Sequence, residues 1–499
     1  MNVTRRWFLG GAASFGAFGG CRMFADPTGG SREGRPNLVF GVISDIHIIA
    51  ENVDNGRQGN TWTLEHALRW FDSQGADGVL IAGDMADGGL ISHLQSVADA
   101  WYKIFPDDRS AVDGRKVEKL FIYGNHDWEG QNYGYNIYGR KSSELRSDHL
   151  RRFGMKKAWE RIFNEEYNPI YRKTVKGYDF IGAHWDGDAG FTWGGSNRIE
   201  RWFAENGGGL DPAKPFFYFQ HPHPKDTCYG EWAWGRDSGQ STRALSRFPN
   251  AVAFSGHSHY SLLDGRSIWQ GSFTSLGTGS LRYAGSPDEE FAKTGGYENA
   301  GCGGKIRPDG DKSMSAIDDK PDARNGYLVR VFSDRIVYQR RDFVADCDLG
   351  PDWVTPPTVA SGRPFEFAAR AAAAAAPAFD ASARVKAERC RVPPRKKIKV
   401  KTGEKPEQAG LPAVRVSFPP ATAAGRVWRY EVKAEKEDGS TVLVKNVLSP
   451  DYHLPRVEKE IKLAFFDREL PADAKLRFSV TPFECYGRAG KSITSETVG

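Results

Sequence analysis

The sequence contains little cysteine, and the cysteines are scattered along the chain. There are 6 cysteines among 499 residues, and none of them form a CxxC pair. An odd number remains after Cys21, so these cannot all pair within one chain. The remaining ones are Cys228, Cys302, Cys347, Cys390 and Cys485. Their spacing specifies no disulfide framework, and we expect at most one or two bridges even if the compartment permits them.

The sequence also lacks a strong excess of one charge and a long apolar run. A net charge of +5 gives no indication of specific nucleic-acid binding. Beyond the N-terminal region, no stretch approaches the ~18 uninterrupted apolar residues of a membrane-spanning helix. With 39% hydrophobic and 26% charged residues, the composition is typical of a globular protein. The 56 glycines and 14 tryptophans favour a loop-rich, aromatic-rich fold over a helical bundle.

The N-terminal residues have the features of an export signal. In "TRRWFLGGAASFGAFGGC", Arg5 and Arg6 precede a weakly apolar stretch of small residues that ends at Cys21. This pattern resembles a twin-arginine signal peptide over residues 1–21. The last four residues also resemble a bacterial lipoprotein cleavage site, with Phe18 where Leu is usual. We therefore expect export to the periplasm or cell envelope. Cys21 is either a lipidation site or part of a discarded peptide, and any membrane contact would be through the signal or a lipid anchor.

Short apolar runs recur along the chain from Asn37 onward, which predicts an α/β domain over residues 37–345. The preceding residues, 22–36, are polar and glycine-rich and are predicted to form a tether. Five short apolar runs each end in polar residues: "LVFGVISDIH", "GVLIAGDMAD", "KLFIYGNHD", "FFYFQHPHP" and "AVAFSGHSH". Runs of this length and composition predict buried strands. Helical spacing of apolar residues marks the intervening segments "TWTLEHALRWFDSQGA", "ISHLQSVADAWYKIF" and "SELRSDHLRRFGMKKAWERIF". Strands that alternate with helices indicate a largely buried sheet.

The remainder of the chain predicts a connector and a second domain. Residues 346–410 include an alanine run and a basic stretch, which either binds an anionic surface or is a solvated linker. Residues 411–499 alternate with period two around the turn "EDGS", which predicts an antiparallel β-sandwich. This segment resembles a fibronectin type III module, and such a module could contact an envelope glycan or protein.

The polar ends of the five apolar runs form one chemical set. In open α/β sheets, ligands gather at the carboxyl ends of strands, so one fold can bring these residues to a single rim. Imidazole and carboxylate ligands suit Mn, Fe or Zn, and none of the five fragments contains cysteine. In a dinuclear site the metals lie about 3.5–4 Å apart, which requires a bridging carboxylate such as Asp84. The set comprises Asp45, His47, Asp84, Asn125, His126, His221, His257 and His259.

The order DxH, GDxxD, GNHD, His and GHxH resembles the calcineurin-like metallophosphoesterase superfamily over roughly residues 37–345. The resemblance implies an α/β sandwich of two packed mixed β-sheets flanked by helices, with two bound metal ions. It implies that Asp84 bridges the metals and that His126 is the catalytic histidine. The metal ligands implied are Asp45, His47 and His259 for the first ion, and Asn125, His221 and His257 for the second.

Two neighbouring positions bear on the subgroup. Asp87 matches the position that orients the catalytic histidine in the serine/threonine phosphatase branch. Gly88 stands where that branch has an arginine that grips phosphate, which favours a diester over a dianionic monoester. Purple acid phosphatases have a metal-bound tyrosine at the position of Asp87, so this residue argues against that group.

Three further residues are candidates for substrate contact. His223 in "FQHPHP" either lines the pocket or lies in a surface loop. Trp232 and Trp234 in "CYGEWAWGRD" either stack on a sugar or base, or pack in the interior. His184 ends another apolar run and matches no motif of the superfamily, so we interpret it as structural.

The predicted function is hydrolysis of a phosphate ester by a hydroxide held between two metals. His126 would protonate the leaving oxygen or stabilise its charge. The substrate would be a phosphodiester rather than a monoester. The alternatives are a phosphomonoesterase or nucleotidase, and an inactive envelope-binding protein that acts through its C-terminal module.

Overall fold

The computed structural model describes residues 34–48, 60–130, 136–137, 140–141, 149–185, 197–229, 231–282, 323–392, 411–449, 459–472 and 474–499. The predicted signal peptide, Cys21 and most of the tether lie outside the described residues. None of the helices in these ranges is long and apolar enough to cross a membrane. Among the residues that the structure describes, Cys228, Cys390 and Cys485 are free thiols.

Strands alternate with helices through the first two thirds of the chain. The strands up to residue 355 are β1 (Leu38–Ile43), β2 (Gly78–Ala82), β3 (Glu118–Ile122), β4 (Asn136–Ile137), β5 (Arg140–Lys141), β6 (Ile170–Val175), β7 (Tyr178–Ala183), β8 (Phe216–Phe219), β9 (Ala251–Ser255), β10 (Ile268–Gln270), β11 (Thr274–Gly277), β12 (Asn325–Val331), β13 (Ile336–Asp342), β14 (Cys347–Asp348) and β15 (Trp353–Thr355). The α-helices are α1 (Asn60–Ser73), α2 (Ile91–Ile104), α3 (Asn125–Glu129), α4 (Leu150–Phe153), α5 (Met155–Phe163), α6 (Arg198–Asn206), α7 (Glu231–Trp234), α8 (Gln240–Leu245) and α9 (Phe367–Ala373). Short 3₁₀ turns occupy Pro106–Asp108, Gly207–Gly209, Gly265–Ser267, Val359–Ser361 and Asp467–Glu469.

Two mixed sheets form the centre of the first domain. The first has the strand order β14-β13-β12-β1-β2-β3, with β15 also paired to β13. The second has the order β10-β11-β9-β8-β7-β6. Strands β1, β2 and β3 are parallel to one another, as are β7, β8, β9 and β11. The polar residues that follow parallel neighbours therefore reach the same edge of each sheet.

The two sheets pack face to face and bury the apolar runs completely. Between them, the Phe40 ring lies 4.8 Å from the ring of Phe217 and 5.1 Å from that of Phe180. The other face of the first sheet packs against α1, α2 and α5 through side chains that include Phe71 and Trp101. The outer face of the second sheet packs against α6 and α8. This arrangement confirms the predicted α/β sandwich of two mixed sheets flanked by helices.

One predicted helix differs from the structure. The segment "SELRSDHLRRFGMKKAWERIF" forms two helices, α4 and α5, rather than one, and residues 142–148 lie outside the described residues. The break falls at Gly154, whose φ of +104° belongs to a region that glycine tolerates and other residues rarely adopt. Apolar periodicity continues across the break because Met155, Ala158 and Trp159 all face the core.

The C-terminal domain is an antiparallel β-sandwich, as predicted. Its strands are β16 (Lys386–Val392), β17 (Leu411–Phe418), β18 (Val427–Lys436), β19 (Thr441–Leu448), β20 (Ile461–Phe466), β21 (Leu476–Glu484) and β22 (Ile493–Thr494). They form one sheet with the order β16-β17-β20 and another with the order β19-β18-β21-β22. The core between them includes Tyr430, Val432, Phe465 and Phe478.

Ordered elements of both domains lie within residues 346–410, which the sequence predicted as a connector. Strands β14 and β15 extend the first sheet, and β16 pairs with β17 in the sandwich. The charged composition of β16 concealed it, because an edge strand with most of its side chains exposed has no apolar run. Residues 393–410, including the most basic stretch, lie outside the described residues.

Candidate metal centre

The predicted ligands lie at the adjoining carboxyl ends of strands from both sheets. Asp45, Asp84 and Asn125 follow β1, β2 and β3, whereas His221 and His257 follow β8 and β9. Backbone hydrogen bonds hold these loops together, from the Asp45 N–H to the Gly83 carbonyl (3.0 Å) and from the His47 N–H to the Asp84 carbonyl (2.9 Å). The structure thus brings the separate motifs to one buried site between the two sheets.

Five of the predicted ligands have left-handed backbone conformations. The φ angles are 51° at Asp45, 48° at His47, 52° at Asp84, 69° at His257 and 56° at His259. Such a conformation costs a residue other than glycine about 1–2 kcal/mol. Strain of this kind concentrates at functional sites, where the surrounding structure holds it in place. The DxH and GHxH motifs each contain two of these residues, separated by one residue of ordinary conformation.

Asp45, His47, Asp84 and His259 form one group of converging ligand atoms. The His259 Nε2 lies 3.0 Å from the Asp45 Oδ1 and 3.1 Å from the His47 Nε2. The His47 Nε2 lies 3.6 Å from the Asp84 Oδ2. All four ligand atoms lie within 4.8 Å of one another, and all four residues are buried. The residues predicted for the first metal are therefore adjacent to the predicted bridge.

Asp84 also belongs to a second group with His221 and His257. The His221 Nε2 lies 3.1 Å from the Asp84 Oδ2 and 3.3 Å from the His257 Nδ1. The other carboxylate oxygen of Asp84 accepts a hydrogen bond of 2.8 Å from the His126 backbone N–H. Asn125, the remaining predicted ligand, is 5% exposed and precedes His126 at the start of α3. The Asp84 Oδ2 thus faces histidines of both groups, as a bridging ligand must.

Hydrogen bonds outside the cluster fix the orientation of two of the histidines. The Nδ1–H of His221 donates to the Ala82 carbonyl at 2.8 Å, and the Nδ1 of His47 lies 3.0 Å from the Asp87 carboxylate. A proton on Nδ1 leaves the lone pair on Nε2, the atom that faces the cluster. Partners of this kind orient metal-ligating histidines and make them more basic.

This donor set fits two metal ions. Two imidazole nitrogens 3.1 Å apart repel each other unless a proton or a cation lies between them. Burial lowers the pKa of His47, but its contacts with Asp45 and Asp87 outweigh burial and raise the pKa to about 10. The negative charge that favours a proton there equally favours a metal cation. Each group supplies imidazole and carboxylate ligands without thiolate, as Mn, Fe and Zn accept.

His126 lies at the edge of this cluster, where a substrate can reach it. Its side chain is 19% exposed, and its ring centroid lies 4.4 Å from that of His47. The Nδ1–H donates to the backbone carbonyl of Asp87 at 2.8 Å, which leaves the lone pair on Nε2 in the neutral ring. Burial lowers the pKa of His126, with the negative charge of Asp84 acting in the opposite direction.

Asp87 contacts both His126 and His47, but through different groups. Its backbone carbonyl accepts the bond from His126, whereas its carboxylate lies closer to His47 (3.0 Å) than to the Nδ1 of His126 (3.7 Å). Burial raises the pKa of Asp87, but the hydrogen bond with His47 and the charge of Arg282 outweigh it and lower the pKa to about 2. The carboxylate is therefore ionised and braces a predicted ligand as well as the edge of the site.

The structure describes the side chains of two of the three predicted substrate contacts, His223 and Trp234, and each has hydrogen-bond partners within the protein. His223 is 0% exposed, and its two ring nitrogens lie 2.6 Å and 2.8 Å from the hydroxyls of Ser255 and Ser258. A contact between His223 and substrate would require the ring to leave both hydroxyls. The indole of Trp234 donates to the Cys228 carbonyl at 2.9 Å. The side chain of Trp232 lies outside the described residues, so its predicted role stays a prediction.

Two residues at the site were not singled out from the sequence. Asp127, the last residue of GNHD, accepts hydrogen bonds of 2.7 Å from the backbone N–H groups of Gly124 and Ala86, and so joins the loops of Asn125 and Asp84. Its place inside the motif was the available signal. Arg282 donates to the His47 carbonyl at 2.8 Å and lies 3.7 Å from the Asp87 Oδ1. Nothing local marks this arginine, because it follows the last motif by more than twenty residues.

The structure also assigns His184 to the interior. It is 1% exposed, and the rings of Trp159 and Tyr167 lie 4.5 Å and 4.7 Å from its own. Its Nδ1 accepts a hydrogen bond of 3.1 Å from the Tyr123 N–H. Burial and the charge of Lys173 lower the pKa of His184 to about 3. It is therefore a neutral residue of the core.

The chain matches one family model and several solved structures. Residues 38–261 match the model of the calcineurin-like phosphoesterases. No curated protein matches the chain. A dimetal phosphatase from Danio rerio is 11% identical, with a TM-score of 0.37 over 65% of this chain and 100% of that one. A predicted phosphoesterase from Streptococcus pneumoniae is 11% identical, with a TM-score of 0.26 over 64% and 97%.

A purple acid phosphatase from yellow lupin (Lupinus luteus) seeds is 13% identical, with a TM-score of 0.38 over 64% of this chain and 55% of that one. At these TM-scores the likenesses to solved structures carry no argument. The family match is specific to the segment that contains all five motifs. It shows a calcineurin-like phosphoesterase domain over these residues and supports the hydrolase of phosphoric esters that the motifs predict.

Proposed function

We propose that this chain, whose residues 38–261 form a calcineurin-like phosphoesterase domain, hydrolyses phosphodiesters in preference to monoesters at a centre of two Mn, Fe or Zn ions. One observation carries the proposal: two buried groups of His and Asp ligands share a single carboxylate, Asp84. The first ion would be held by Asp45, His47 and His259, and the second by Asn125, His221 and His257.

The side chains around the site have separate tasks in this reaction. Two such ions, when bound, supply an acidified water as nucleophile and neutralise charge on the phosphoryl oxygens. The Asp87 carbonyl accepts a hydrogen bond from Nδ1–H of His126 and holds the ring in place. The opposite nitrogen, Nε2, therefore donates the proton to the leaving oxygen. Its lowered pKa makes the protonated ring a stronger acid than a free histidine. The carboxylate of Asp87 holds the His47 ring in the orientation in which its Nε2 faces the other residues of the first ligand group.

The preference for diesters is supported by Gly88. A diester phosphoryl group carries one negative charge, whereas a monoester carries up to two at neutral pH and needs a further cation. Gly88 offers no side chain at the position next to Asp87, where an arginine would supply that cation.

The competing candidate, a phosphomonoesterase or nucleotidase, is favoured by Arg282. This guanidinium comes from a different part of the chain, yet lies 3.7 Å from the Asp87 carboxylate with 28% of its side chain exposed. Arginine matches phosphoryl oxygens with a planar fork of donors. It could therefore supply the charge that Gly88 does not.

Paired hydrolysis rates decide between the two ester classes. The mature protein, reconstituted with Mn, Fe or Zn, would be assayed on p-nitrophenyl phosphate and on bis-p-nitrophenyl phosphate. We expect metal-dependent turnover with a higher kcat/KM for the diester. A higher value for the monoester would overturn the diester preference, and no turnover with metals bound would favour a non-catalytic envelope-binding protein.

The variant Arg282→Ala tests whether this arginine binds the monoester. If Arg282 holds the second negative charge, the variant raises the KM for the monoester about tenfold, the effect of one lost charged hydrogen bond, and changes the diester little. Arg243→Ala is a matched control, because Arg243 pairs with Glu200 at the surface and 58% of its side chain is exposed. An equal loss for both substrates would instead assign Arg282 to holding the His47 loop.

We also propose that the protein is exported by the twin-arginine route, with lipidation at Cys21, and that its C-terminal domain is fibronectin type III-like. The paired Arg5 and Arg6 support the route, and the sandwich of three-stranded and four-stranded antiparallel sheets supports the domain type. Replacement of both arginines by lysine should retain the protein in the cytoplasm, which fractionation would show. Export that persists in this variant would contradict the proposal.

A further inference from the structure

A buried ion pair lies shortly after the GHxH motif, in a turn of the catalytic domain that contacts the C-terminal sandwich. The Arg266 guanidinium bonds both oxygens of the Asp264 carboxylate, from Nε to Oδ1 at 3.0 Å and from Nη2 to Oδ2 at 2.7 Å. Asp264 is 1% exposed and Arg266 is 8% exposed. Two charges withdrawn from water in this way are costly unless their pairing is complete, so the turn depends on whatever covers it.

The cover comes from one aromatic ring of each domain. The Arg266 guanidinium lies 3.5 Å from the ring centroid of Tyr229, in the catalytic domain, and 4.5 Å from that of Trp428, in strand β18 of the sandwich. Guanidinium groups stack favourably on aromatic faces, and the gain rises when water is excluded. Trp428 is only 6% exposed, so its ring is buried where it contacts Arg266.

A second contact attaches the same turn to the sandwich. The Arg370 guanidinium donates to the Gly265 carbonyl, and it lies 5.3 Å from the ring centroid of Tyr486, which follows β21. Any side chain at Gly265 would approach the guanidinium of Arg370 within 2.7 Å. The turn is therefore held at two points, directly by Trp428 of the sandwich and through Arg370 of α9, which in turn contacts Tyr486.

Short connections run from this turn to the metal ligands of GHxH. The Asp264 N–H and the Ser267 hydroxyl both donate to the Ser261 carbonyl, at 3.1 Å and 2.9 Å. The Tyr229 ring lies 5.0 Å from the ring of Tyr260, the residue directly after His259. The backbone N–H of Tyr229 in turn donates to the Arg266 carbonyl at 2.8 Å.

We infer that the C-terminal sandwich is a brace for the metal centre, with Trp428 and Arg266 as positioning residues for the loop that carries His257 and His259. The inference rests on the two-metal site proposed above. His259 is held in a left-handed conformation, so the loop needs support from outside to keep its ligand in place. Trp428 covers the ion pair and keeps water away from it. The ion pair stabilises the turn, and the turn stabilises the loop of His257 and His259. A role of the sandwich in docking other molecules would then have to use other surfaces than this one.

The test measures metal binding by the full chain, with Co²⁺ as a probe whose visible absorption reports ligand geometry. Trp428→Ala should weaken Co²⁺ binding severalfold to tenfold, at the lower end of the effect seen for groups that orient metal ligands, and should alter the spectrum. Trp428→Phe, which keeps a ring over Arg266, should restore most of both. Arg266→Lys is a second variant that retains the charge but loses the planar fork, and it should weaken binding as well.

Phe465→Leu is the matched control, because it loosens the same sandwich without touching the turn. It should lower thermal stability while Co²⁺ affinity and spectrum stay those of the wild type. Wild-type affinity in Trp428→Ala, or an equal loss in Phe465→Leu, would overturn the brace. Failure of the proposed function would look different: the wild type would bind Co²⁺ with the expected spectrum but hydrolyse no ester with any metal.

Discussion

The two domains place their polar residues in different ways. In the catalytic domain, β1, β2 and β9 are buried along their whole length, and the polar residues follow the last strand residue in left-handed conformations. In the sandwich, β21 alternates between buried and partly exposed residues. Within the described part of residues 411–499, positive φ angles occur only at glycines. A strand covered on both faces can offer chemistry only at its end, so the ligands of the first domain are concentrated at one rim.

Removal of the shared carboxylate, Asp84, should affect the metal centre more than any other change. Asp84→Asn keeps the size of the side chain but removes the charge that both ligand groups use. We expect the metal content to fall below two ions per chain and kcat/KM to fall at least about a thousandfold, since metal ions contribute several kcal/mol to such reactions. Metal analysis and the paired ester assay would measure this.

Asp438→Asn is the control for that variant, in an exposed turn of the sandwich where the carboxylate accepts from the Ser440 N–H at 2.8 Å. It should leave metal content and activity unchanged. Equal effects of the two substitutions would mean that the rim of the catalytic domain has no special role.

A smaller effect is expected from His126→Ala. The variant should retain both metals, because the proposed ligand set does not include His126, while kcat falls about 10²- to 10⁴-fold, as for loss of a general acid. The measurement is kcat at saturating diester, together with metal content. Unchanged hydrolysis would remove His126 from the catalytic assignment.

Two glycine substitutions compare the close packing of the rim with the open surface of the sandwich. A Cβ at Gly256 would collide with the carboxylate of Asp45 and with Ser44, whereas a Cβ at Gly425 meets nothing within 4 Å. Gly256→Ala should therefore weaken metal binding by about tenfold or more, as for other groups that orient ligands. Gly425→Ala should leave metal binding unchanged. Dialysis against a chelator would rank the variants, and equal retention by both would contradict the close approach at Asp45.

The last expected effect is on the pH-dependent stability of the catalytic core, and it is confined to acid conditions. His184 has a pKa of about 3 in the folded chain against 6.5 ordinarily, so the unfolded chain binds the proton first as the pH falls. Its contribution is complete above pH 6.5 and is lost as the pH falls toward 3, by about 3 kcal/mol at a pH of about 4. His184→Gln should flatten this acid limb in denaturant unfolding, and an unchanged slope would contradict the assignment.

The sequence was sufficient for the strands and their polar ends because both signals are local. Each apolar run and its terminal Asp, Asn or His lie within about ten residues, and the parallel pairing of the strands brings them together. The charged edge strand β16 was missed because alternation without an apolar face resembles a linker. Asp87 contacts His126 through its backbone carbonyl and His47 through its carboxylate. This arrangement depends on side-chain geometry, which the spacing of the motifs does not determine.

Contacts between distant segments were not predictable in this way. Arg282 approaches Asp87 across nearly two hundred residues, and Trp428 covers Arg266 from another domain. Neither residue stands in a recognisable motif, so only the folded chain relates it to the site. In the proposals above, Arg282 bears on the choice of substrate and Trp428 on the support of the metal ligands.

Metal stoichiometry distinguishes a two-metal centre that shares Asp84 from any site that holds fewer ions. The full chain would be stripped with a chelator, reconstituted with Mn, Fe or Zn in turn, freed of excess metal and analysed for metal per folded chain. We predict two ions per wild-type chain and fewer in Asp84→Asn. A folded wild-type chain that retains one ion or none with each of these metals would contradict it.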